Sequence, residues 1–440
     1  LRQDGSRGGS ISQAQDFGSL GIIADVIAEA TPDAGITIDG LRIKDGFSEY
    51  DEIAIPGAPA VSKGRLFAAV LDNNDSLSPS TDLTALYYRR PDGLMVKLND
   101  DFPYGTKMRH PQSATFPYGD SDEPPLLSSW TNFNYDYDVS SFTKDFLGCV
   151  WVQGLIKSGG IASQAFTLPE GYRNVGGVLR WVAIANAALG LIDVQAPGYV
   201  VPAAGSNAYF SLNRAAFPET NRITWHEVGG GGEPAFENSW VNFATGYDTP
   251  GFAKDAIGRV WIKGMVKSGV ATTVFTLPAG YRPTKDIVMV SSSAPSLIAK
   301  LQVTSAGAVV ATLLGAGTNA WYSINIVFTA DGAATWREAG DPGEPAFENS
   351  WVNYGGVWDT AAFYKDACGI VHIKGFVKSG TIGQTVFTLP VGYRPKQGLI
   401  FPVIANDAIG VLVVEEDGRV RTSAGSNVWY SIHLSFVAEQ

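Results

Sequence analysis

Three pairs of adjacent residues place an aromatic ring beside a carboxylate at matching points along the chain: Tyr137-Asp138, Tyr247-Asp248 and Trp358-Asp359. Such a pair suits the recognition of a sugar, because the ring stacks on C–H groups and the carboxylate accepts hydrogen bonds from hydroxyls. The alternative is that each ring packs on its own domain while the aspartate caps a turn. The pairs are therefore candidates for binding a saccharide.

A second aromatic residue follows an asparagine near the end of the chain, in the sequence Ser-Asn-Val-Trp. Asn427 and Trp429 carry this pattern, and similar sequences occur about 110 and 220 residues earlier. We include both residues among the saccharide-binding candidates. The alternative is that the asparagine occupies a left-handed turn position and that the ring enters the core.

The residue patterns of common enzymes are missing from the sequence. The histidines do not recur at equivalent positions and form no zinc-protease motif; they are His110, His226, His372 and His433. No nucleophile elbow, phosphate-binding loop or dinucleotide fingerprint is present. We therefore predict no catalytic residue, no metal site and no cofactor. A pair of glycosidase carboxylates depends on spatial separation alone, so the sequence leaves that chemistry open.

A repeat of about 110 residues organises most of the chain and places these candidates. Its anchors are Trp130, Trp240 and Trp351, and the last two stand in the identical nine-residue sequence EPAFENSWV. Further landmarks keep the same spacing, among them KDFLG, KDAIG and KDACG, and FTLPEGYR, FTLPAGYR and FTLPVGYR. A period of this length is the size of a domain and is far too long for a solenoid unit.

Each repeat consists of short runs rich in β-branched and aromatic residues, bounded by glycine and proline. Helical apolar spacing is missing, and turn signals recur every ~8–12 residues, which is typical of a β-sandwich or jelly roll. Flexible glycine-rich segments precede the second and third copies. The sequence therefore predicts an all-β chain with β-sandwich repeats at residues 119–228, 229–338 and 339–440.

The first quarter of the chain has a different composition. We predict an extended linker over residues 1–24 and a shaft-like region of β-hairpins over residues 25–60, where Asp39-Gly40 lies between alternating strands. Short hairpins cannot bury a core alone, so this region would be stable if three chains wrapped around one axis. Residues 61–118 are predicted to form a small β module containing a second hairpin between residues 85 and 98.

Composition excludes several classes of partner. The net charge is −11, which argues against a nucleic-acid-binding protein with a basic face. No run of about 18 apolar residues exists, so we expect no membrane span. Two cysteines, Cys149 and Cys368, are too few for a disulfide framework, and we interpret both as small buried apolar residues.

The segments ATPDAGITIDGLRIKDG in the first quarter and ENSWVNY, VHIKGFVKSG and VFTLPVGYRPK in the repeats resemble parts of phage tail fibres and receptor-binding proteins. The resemblance implies a homotrimer that belongs to the virion tail and is made in the host cytoplasm. It also implies that the N-terminal side contacts other tail or baseplate proteins. The repeats would attach the virion to polysaccharide or protein of the host surface.

Two other functions are compatible with the sequence. The repeats could be spacers in a structural tail or baseplate component, in which case the aromatic loops would be buried at contacts between domains. A tailspike-like polysaccharide depolymerase is the third hypothesis. Such enzymes usually carry a long β-helix with a short period, and the sequence shows no period of that kind.

Overall fold

Every regular element that the structure describes is a β-strand, which confirms the predicted all-β class. The structure is a computed structural model, and it describes residues 65–69, 85–89, 95–97, 108–112, 123–134, 136–174, 176–219, 223–244, 246–270, 272–294, 297–314 and 320–438. The predicted linker and shaft region lie outside the described residues.

A three-stranded sheet is formed by residues between 65 and 97. Its strands are β1 (Arg65–Ala69), β2 (Ala85–Arg89) and β3 (Met95–Lys97), in the order β1-β2-β3. Because β2 and β3 are hydrogen-bonded neighbours, the hairpin predicted between residues 85 and 98 is confirmed.

Repeat 1 contains a seven-stranded and a three-stranded sheet, with the orders β4-β7-β12-β9-β10-β11-β8 and β13-β6-β5. The strands are β4 (Thr131–Asn132), β5 (Ser141–Lys144), β6 (Cys149–Gln153), β7 (Leu155–Lys157), β8 (Phe166–Thr167), β9 (Leu179–Ala185), β10 (Ala188–Val194), β11 (Tyr199–Ala204), β12 (Phe210–Ser211) and β13 (Ala216–Pro218).

Repeat 2 has the same seven-stranded arrangement, β15-β18-β23-β20-β21-β22-β19, and a four-stranded sheet, β14-β16-β17-β24. The strands are β14 (His226–Glu227), β15 (Val241–Asn242), β16 (Gly251–Lys254), β17 (Arg259–Lys263), β18 (Met265–Lys267), β19 (Thr273–Thr276), β20 (Ile287–Ser293), β21 (Leu297–Val303), β22 (Ala308–Leu313), β23 (Tyr322–Ser323) and β24 (Ile326–Thr329).

Repeat 3 follows the same pattern, with the orders β26-β29-β34-β31-β32-β33-β30 and β25-β27-β28-β35. The strands are β25 (Arg337–Glu338), β26 (Val352–Asn353), β27 (Ala362–Lys365), β28 (Ile370–Lys374), β29 (Phe376–Lys378), β30 (Thr385–Thr388), β31 (Leu399–Ala405), β32 (Ala408–Val414), β33 (Arg419–Ala424), β34 (Tyr430–Ser431) and β35 (Leu434–Val437).

Strands at the entrance of repeats 2 and 3 lie upstream of the boundaries predicted at residues 229 and 339. Strand β14 pairs with β16, and β25 pairs with β27, so each short strand belongs to the sheet of the repeat that follows it. In repeat 1, an isolated bridge between Arg109 and Phe142 occupies the corresponding place.

The anchor tryptophan of each repeat is buried in that repeat's core, with 1–2 % of its surface exposed. Its ring lies against a glycine that follows the recurring Lys-Ser sequence. A β-carbon on Gly269 would lie 2.0 Å from the ring of Trp240, and Gly159 and Gly380 are equally close to their tryptophans. Both the tryptophan and the glycine of the repeat motif are therefore explained by packing.

Cys149 and Cys368 are both free and buried, as predicted from the sequence. Burial raises the pKa of both thiols well above the usual value. Both thiols therefore lie in the protein interior and are uncharged at neutral pH.

Candidate ligand-binding surface where the repeats meet

The three aromatic–aspartate loops join the repeats to one another. Each loop makes a parallel bridge to the residue that precedes the long central strand of another repeat. The bridges are Tyr137 to Gly398, Tyr247 to Val178, and Trp358 to Asp286. Repeat 1 thus contacts repeat 3, repeat 3 contacts repeat 2, and repeat 2 contacts repeat 1. The three repeats close into a pseudo-three-fold ring, with a 1–3, a 2–1 and a 3–2 interface.

A hydroxyl group strengthens each interface at the same position. Ser211 in β12 donates a hydrogen bond to the carbonyl oxygen of Ile400 at 2.6 Å. The equivalent bonds run from Ser323 to Arg180 and from Ser431 to Val288, both at 2.5 Å. Because these bonds recur around the ring in one direction, the three interfaces are variants of one contact.

The aspartates of the three pairs are buried, and they are engaged within the protein. Asp359 is 4 % exposed and accepts a hydrogen bond from Nζ of Lys374 at 2.9 Å. Asp248 accepts one from Lys263 at 3.0 Å, and Asp138 accepts one from Gln153 at 3.3 Å. The carboxylate part of the predicted sugar sites therefore lies inside the protein, where it serves the alternative, structural role.

The rings of the two loop sets, by contrast, come together at the surface of the 3–2 interface. Trp358 stacks on Phe376 with centroids 4.7 Å apart, and Trp429 stacks on the same phenylalanine at 5.4 Å. Phe376 is 2 % exposed, whereas both indoles keep part of their surface accessible. Two tryptophans that are 71 positions apart in sequence thus flank one buried ring. We call Trp358, Trp429 and their immediate neighbours the indole platform.

Exposed groups border the indole platform. Val357 and Val428, each next to one of the tryptophans, are 64 % and 58 % exposed. On the repeat 2 side, Nζ of Lys300 lies 5.9 Å from the ring of Trp429 and forms an ion pair with Asp407 at 2.6 Å. The platform therefore combines apolar faces with a charged rim that could hydrogen-bond a hydroxylated ligand.

The other two interfaces carry related clusters of aromatic rings. At the 1–3 interface, Tyr137 and Tyr209 both meet the edge of Phe133, with centroids 5.9 and 5.6 Å apart. At the 2–1 interface, the guanidinium of Arg180 lies 5.2 Å from the ring of Tyr247 and 5.3 Å from that of Trp321. Arg180 is also paired with Asp193, so its cation is fixed between the two rings.

Asn427 has a structural role in a turn. Its side chain donates a hydrogen bond to the carbonyl oxygen of Gly380 at 2.8 Å, and its carbonyl accepts one from the backbone of Ser379. Asn207 bonds Gly159 in the same way in repeat 1. The asparagine thus connects the turn before Trp429 to the glycine against which the anchor tryptophan packs.

Sequence reasoning missed a buried ionic cluster at which all three repeats meet. Arg259 is fully buried and forms salt bridges with Asp145 at 2.8 Å, Asp255 at 2.5 Å and Asp366 at 3.1 Å. We call these four residues the axial cluster. Its aspartates all come from the recurring Lys-Asp turn, but copy two alone has an arginine after the glycine of that turn, which was the available signal.

The charges of the axial cluster stabilise one another. Burial opposes the charge of Arg259, but the nearby carboxylates raise its pKa well above the usual value. Burial also opposes the charge of Asp366, yet a hydrogen bond from His372 and the charges of His372 and Arg259 lower its pKa. Asp366 is therefore ionised at neutral pH, and the three carboxylates share a single guanidinium.

Comparison with known proteins gives no family assignment. No protein-family model matches the chain, and no curated protein matches it.

Within the described ranges, no cluster of histidine, cysteine and acidic residues is arranged to hold a metal ion. The described part of the chain also contains no helix that is long and apolar enough to cross a membrane.

Proposed function

We propose that this protein is a virion tail fibre or receptor-binding protein that attaches to saccharide on the host cell surface. The observation that carries the proposal is the indole platform. Two loops from distant parts of repeat 3 bring Trp358 and Trp429 to one surface, where their accessible faces are apolar and the rim is charged. This arrangement suits a pyranose, whose C–H face stacks on a ring while its hydroxyls find polar partners.

The pseudo-three-fold ring supports the proposal through valency. Three related aromatic clusters on one chain would present three binding surfaces, and simultaneous contacts raise the effective affinity far above that of one weak site. We further propose that the intact protein is a homotrimer joined to other tail or baseplate proteins through its N-terminal side. The repeat-to-repeat contacts are already occupied within one chain, so the contacts between chains would lie elsewhere.

The experiment that tests the proposal compares variants of the whole chain for binding to candidate host cells and to a glycan array. Trp358→Ala and Trp429→Ala each remove one indole and are expected to weaken binding by ~5–30-fold, the effect of losing an aromatic hot spot. Trp358→Tyr keeps a ring of the type found in repeats 1 and 2. Val270→Ala, at a residue that is 58 % exposed outside the platform, is the matched control.

A structural tail or baseplate component is the second candidate function, and one observation favours it. That hypothesis expects the aromatic loops to be buried at contacts between domains, and the aspartates of all three loops are buried where the repeats meet, while the rings are partly buried. If the folded chain binds no host cell and no glycan, or if both alanine variants bind as tightly as the parent, the platform serves only to pack the repeats. The structural function would then be preferred.

A further inference from the structure

One buried residue contacts both tryptophans of the indole platform, and its type differs between the three repeats. It is the first residue of a short strand: Leu155 in β7, Met265 in β18 and Phe376 in β29. All three side chains are at most 2 % exposed. The position is therefore buried and apolar in every repeat, and repeat 3 alone has an aromatic ring there.

The backbone of Phe376 is bonded to both segments that carry the tryptophans. Its N–H donates a hydrogen bond at 2.9 Å to the carbonyl oxygen of Asp359, the residue directly after Trp358. Its partner on the neighbouring strand is Ser431, which lies two residues after Trp429. The first residue of β7 makes the equivalent two contacts in repeat 1. The backbone arrangement is thus shared, and the side chain is what distinguishes repeat 3.

The ring of Phe376 supports both indoles by stacking. Its plane makes an angle of 25° with the ring of Trp358 and 30° with the ring of Trp429. In repeat 1 the two corresponding tyrosines meet a phenylalanine ring edge-on, at 67° and 69°. An aliphatic side chain has no plane on which an indole can stack. The near-parallel orientation of the two indoles therefore depends on the ring at position 376.

The neighbouring repeat holds Phe376 in place. The ring belongs to one buried apolar cluster with Val288 and Val290 of repeat 2. Ser431, its strand partner, donates a hydrogen bond to the carbonyl oxygen of Val288 across the interface. A ring in a close-packed cluster has a fixed orientation. The junction of repeats 2 and 3 thus fixes Phe376, and Phe376 fixes the indoles.

We propose that Phe376 is a positioning residue of the indole platform, which sets the planes of Trp358 and Trp429 and thereby the affinity for saccharide. This role rests on the proposed function, because the two indoles must contact the ligand for it to hold. An indole that is free to turn must be ordered when the ligand binds, and that cost lowers affinity. Leucine or methionine at position 376, as in repeats 1 and 2, should therefore weaken binding while the repeat still folds.

The first test compares Phe376→Leu with Phe401→Leu in the whole chain. Phe401 is a fully buried phenylalanine of repeat 3 in a different apolar cluster, so both variants lose core packing through the same replacement. Binding is measured to the array glycan that binds the parent most tightly, at a temperature where both variants are folded. Phe376→Leu should weaken binding by ~3–10-fold, and Phe401→Leu should leave it unchanged. Parent-like affinity in Phe376→Leu overturns the proposal.

The second test observes the indoles directly and requires no ligand. The chain is labelled with fluorotryptophan, and the fluorine NMR resonances of Trp358 and Trp429 are assigned from variants with phenylalanine at each position. In Phe376→Leu both resonances should shift and broaden, because the stacked ring is gone and the indoles sample several orientations. In Phe401→Leu both should keep their parent positions. Sharp and unshifted resonances in Phe376→Leu overturn the positioning role.

The outcomes for the tryptophan variants separate this proposal from the proposed function. If Trp358→Ala and Trp429→Ala bind as tightly as the parent, the platform binds no ligand, and the proposed function fails together with the effect of Phe376 on affinity. If both variants lose binding while Phe376→Leu keeps it, the proposed function stands and only the positioning role is overturned.

Discussion

Replacement of Arg259 by methionine should destabilise the ring of repeats more than the same replacement of an arginine at the surface. Methionine fills a similar volume but leaves the carboxylates of Asp145, Asp255 and Asp366 buried without their cation. Each carboxylate keeps hydrogen bonds from the backbone and from one ring nitrogen, as Asp145 does from Trp151 at 3.2 Å. Breaking a buried ion pair costs about 3–5 kcal/mol, and we expect a loss in that range.

Urea unfolding followed by tryptophan fluorescence measures this loss as a change in the free energy of unfolding at pH 7. Arg419→Met is the matched control, since Arg419 also contacts two acidic side chains but is 49 % exposed. Exposed ion pairs contribute about 0–1 kcal/mol. Equal losses in Arg259→Met and Arg419→Met would refute the reasoning that the axial cluster holds the repeats together.

The pH dependence of the stability loss is a second test of the Arg259→Met variant. In the parent protein the pKa of Asp366 is lowered, so its contribution to stability is present above its unfolded pKa and is lost as pH falls through the folded value. Without the cation, one of the causes that lower the pKa of Asp366 is lost while burial still raises it, so this pKa is higher in the variant. The deficit of Arg259→Met should therefore shrink between pH 7 and about pH 4. A deficit that grows on acidification would contradict this account.

Two further predictions concern packing and thiol chemistry. In Gly269→Ala the new methyl group overlaps the ring of Trp240, so the free energy of unfolding should fall by about 1–3 kcal/mol or more. Gly231→Ala, with nothing within 4 Å of the new β-carbon, should change it by less than about 0.5 kcal/mol in the same urea titration. Cys149 and Cys368 should react with a thiol reagent only after denaturant is added, because both are buried with raised pKa values. A rapid reaction of either thiol in the native protein would show that the interior opens readily.

The neighbouring strands β2 and β3 and the strands of each repeat were predictable because their signals are local. Turn residues and runs of β-branched residues act over a few positions. The strands β14 and β25 were not predicted, since a strand of two residues carries almost no pattern of its own, and they lie just before the boundaries expected for their repeats.

The candidate site was predictable in part. The rings of Trp358 and Trp429 were chosen from two separate motifs, and the structure brings them to one surface. The fate of Asp359 was not visible in the sequence, because its partner Lys374 was indistinguishable from a lysine on a solvent-facing strand. Both residues belong to repeat 3, and Asp248 and Lys263 form the same pair within repeat 2, so the fold of one repeat brings the two side chains together.

What the sequence by itself determined is the content of one repeat: its strands, its turns and its anchor tryptophan, and the number of copies. The tertiary structure alone decided that the copies close into a ring, and it thereby placed Arg259 among three aspartates. The physical reason is that contacts within a repeat are made between patterned strands of one sandwich. Contacts between repeats join side chains from separate copies of the motif, such as Arg259 with Asp145 and Asp366, and there a single arginine changes the charge of a whole interface.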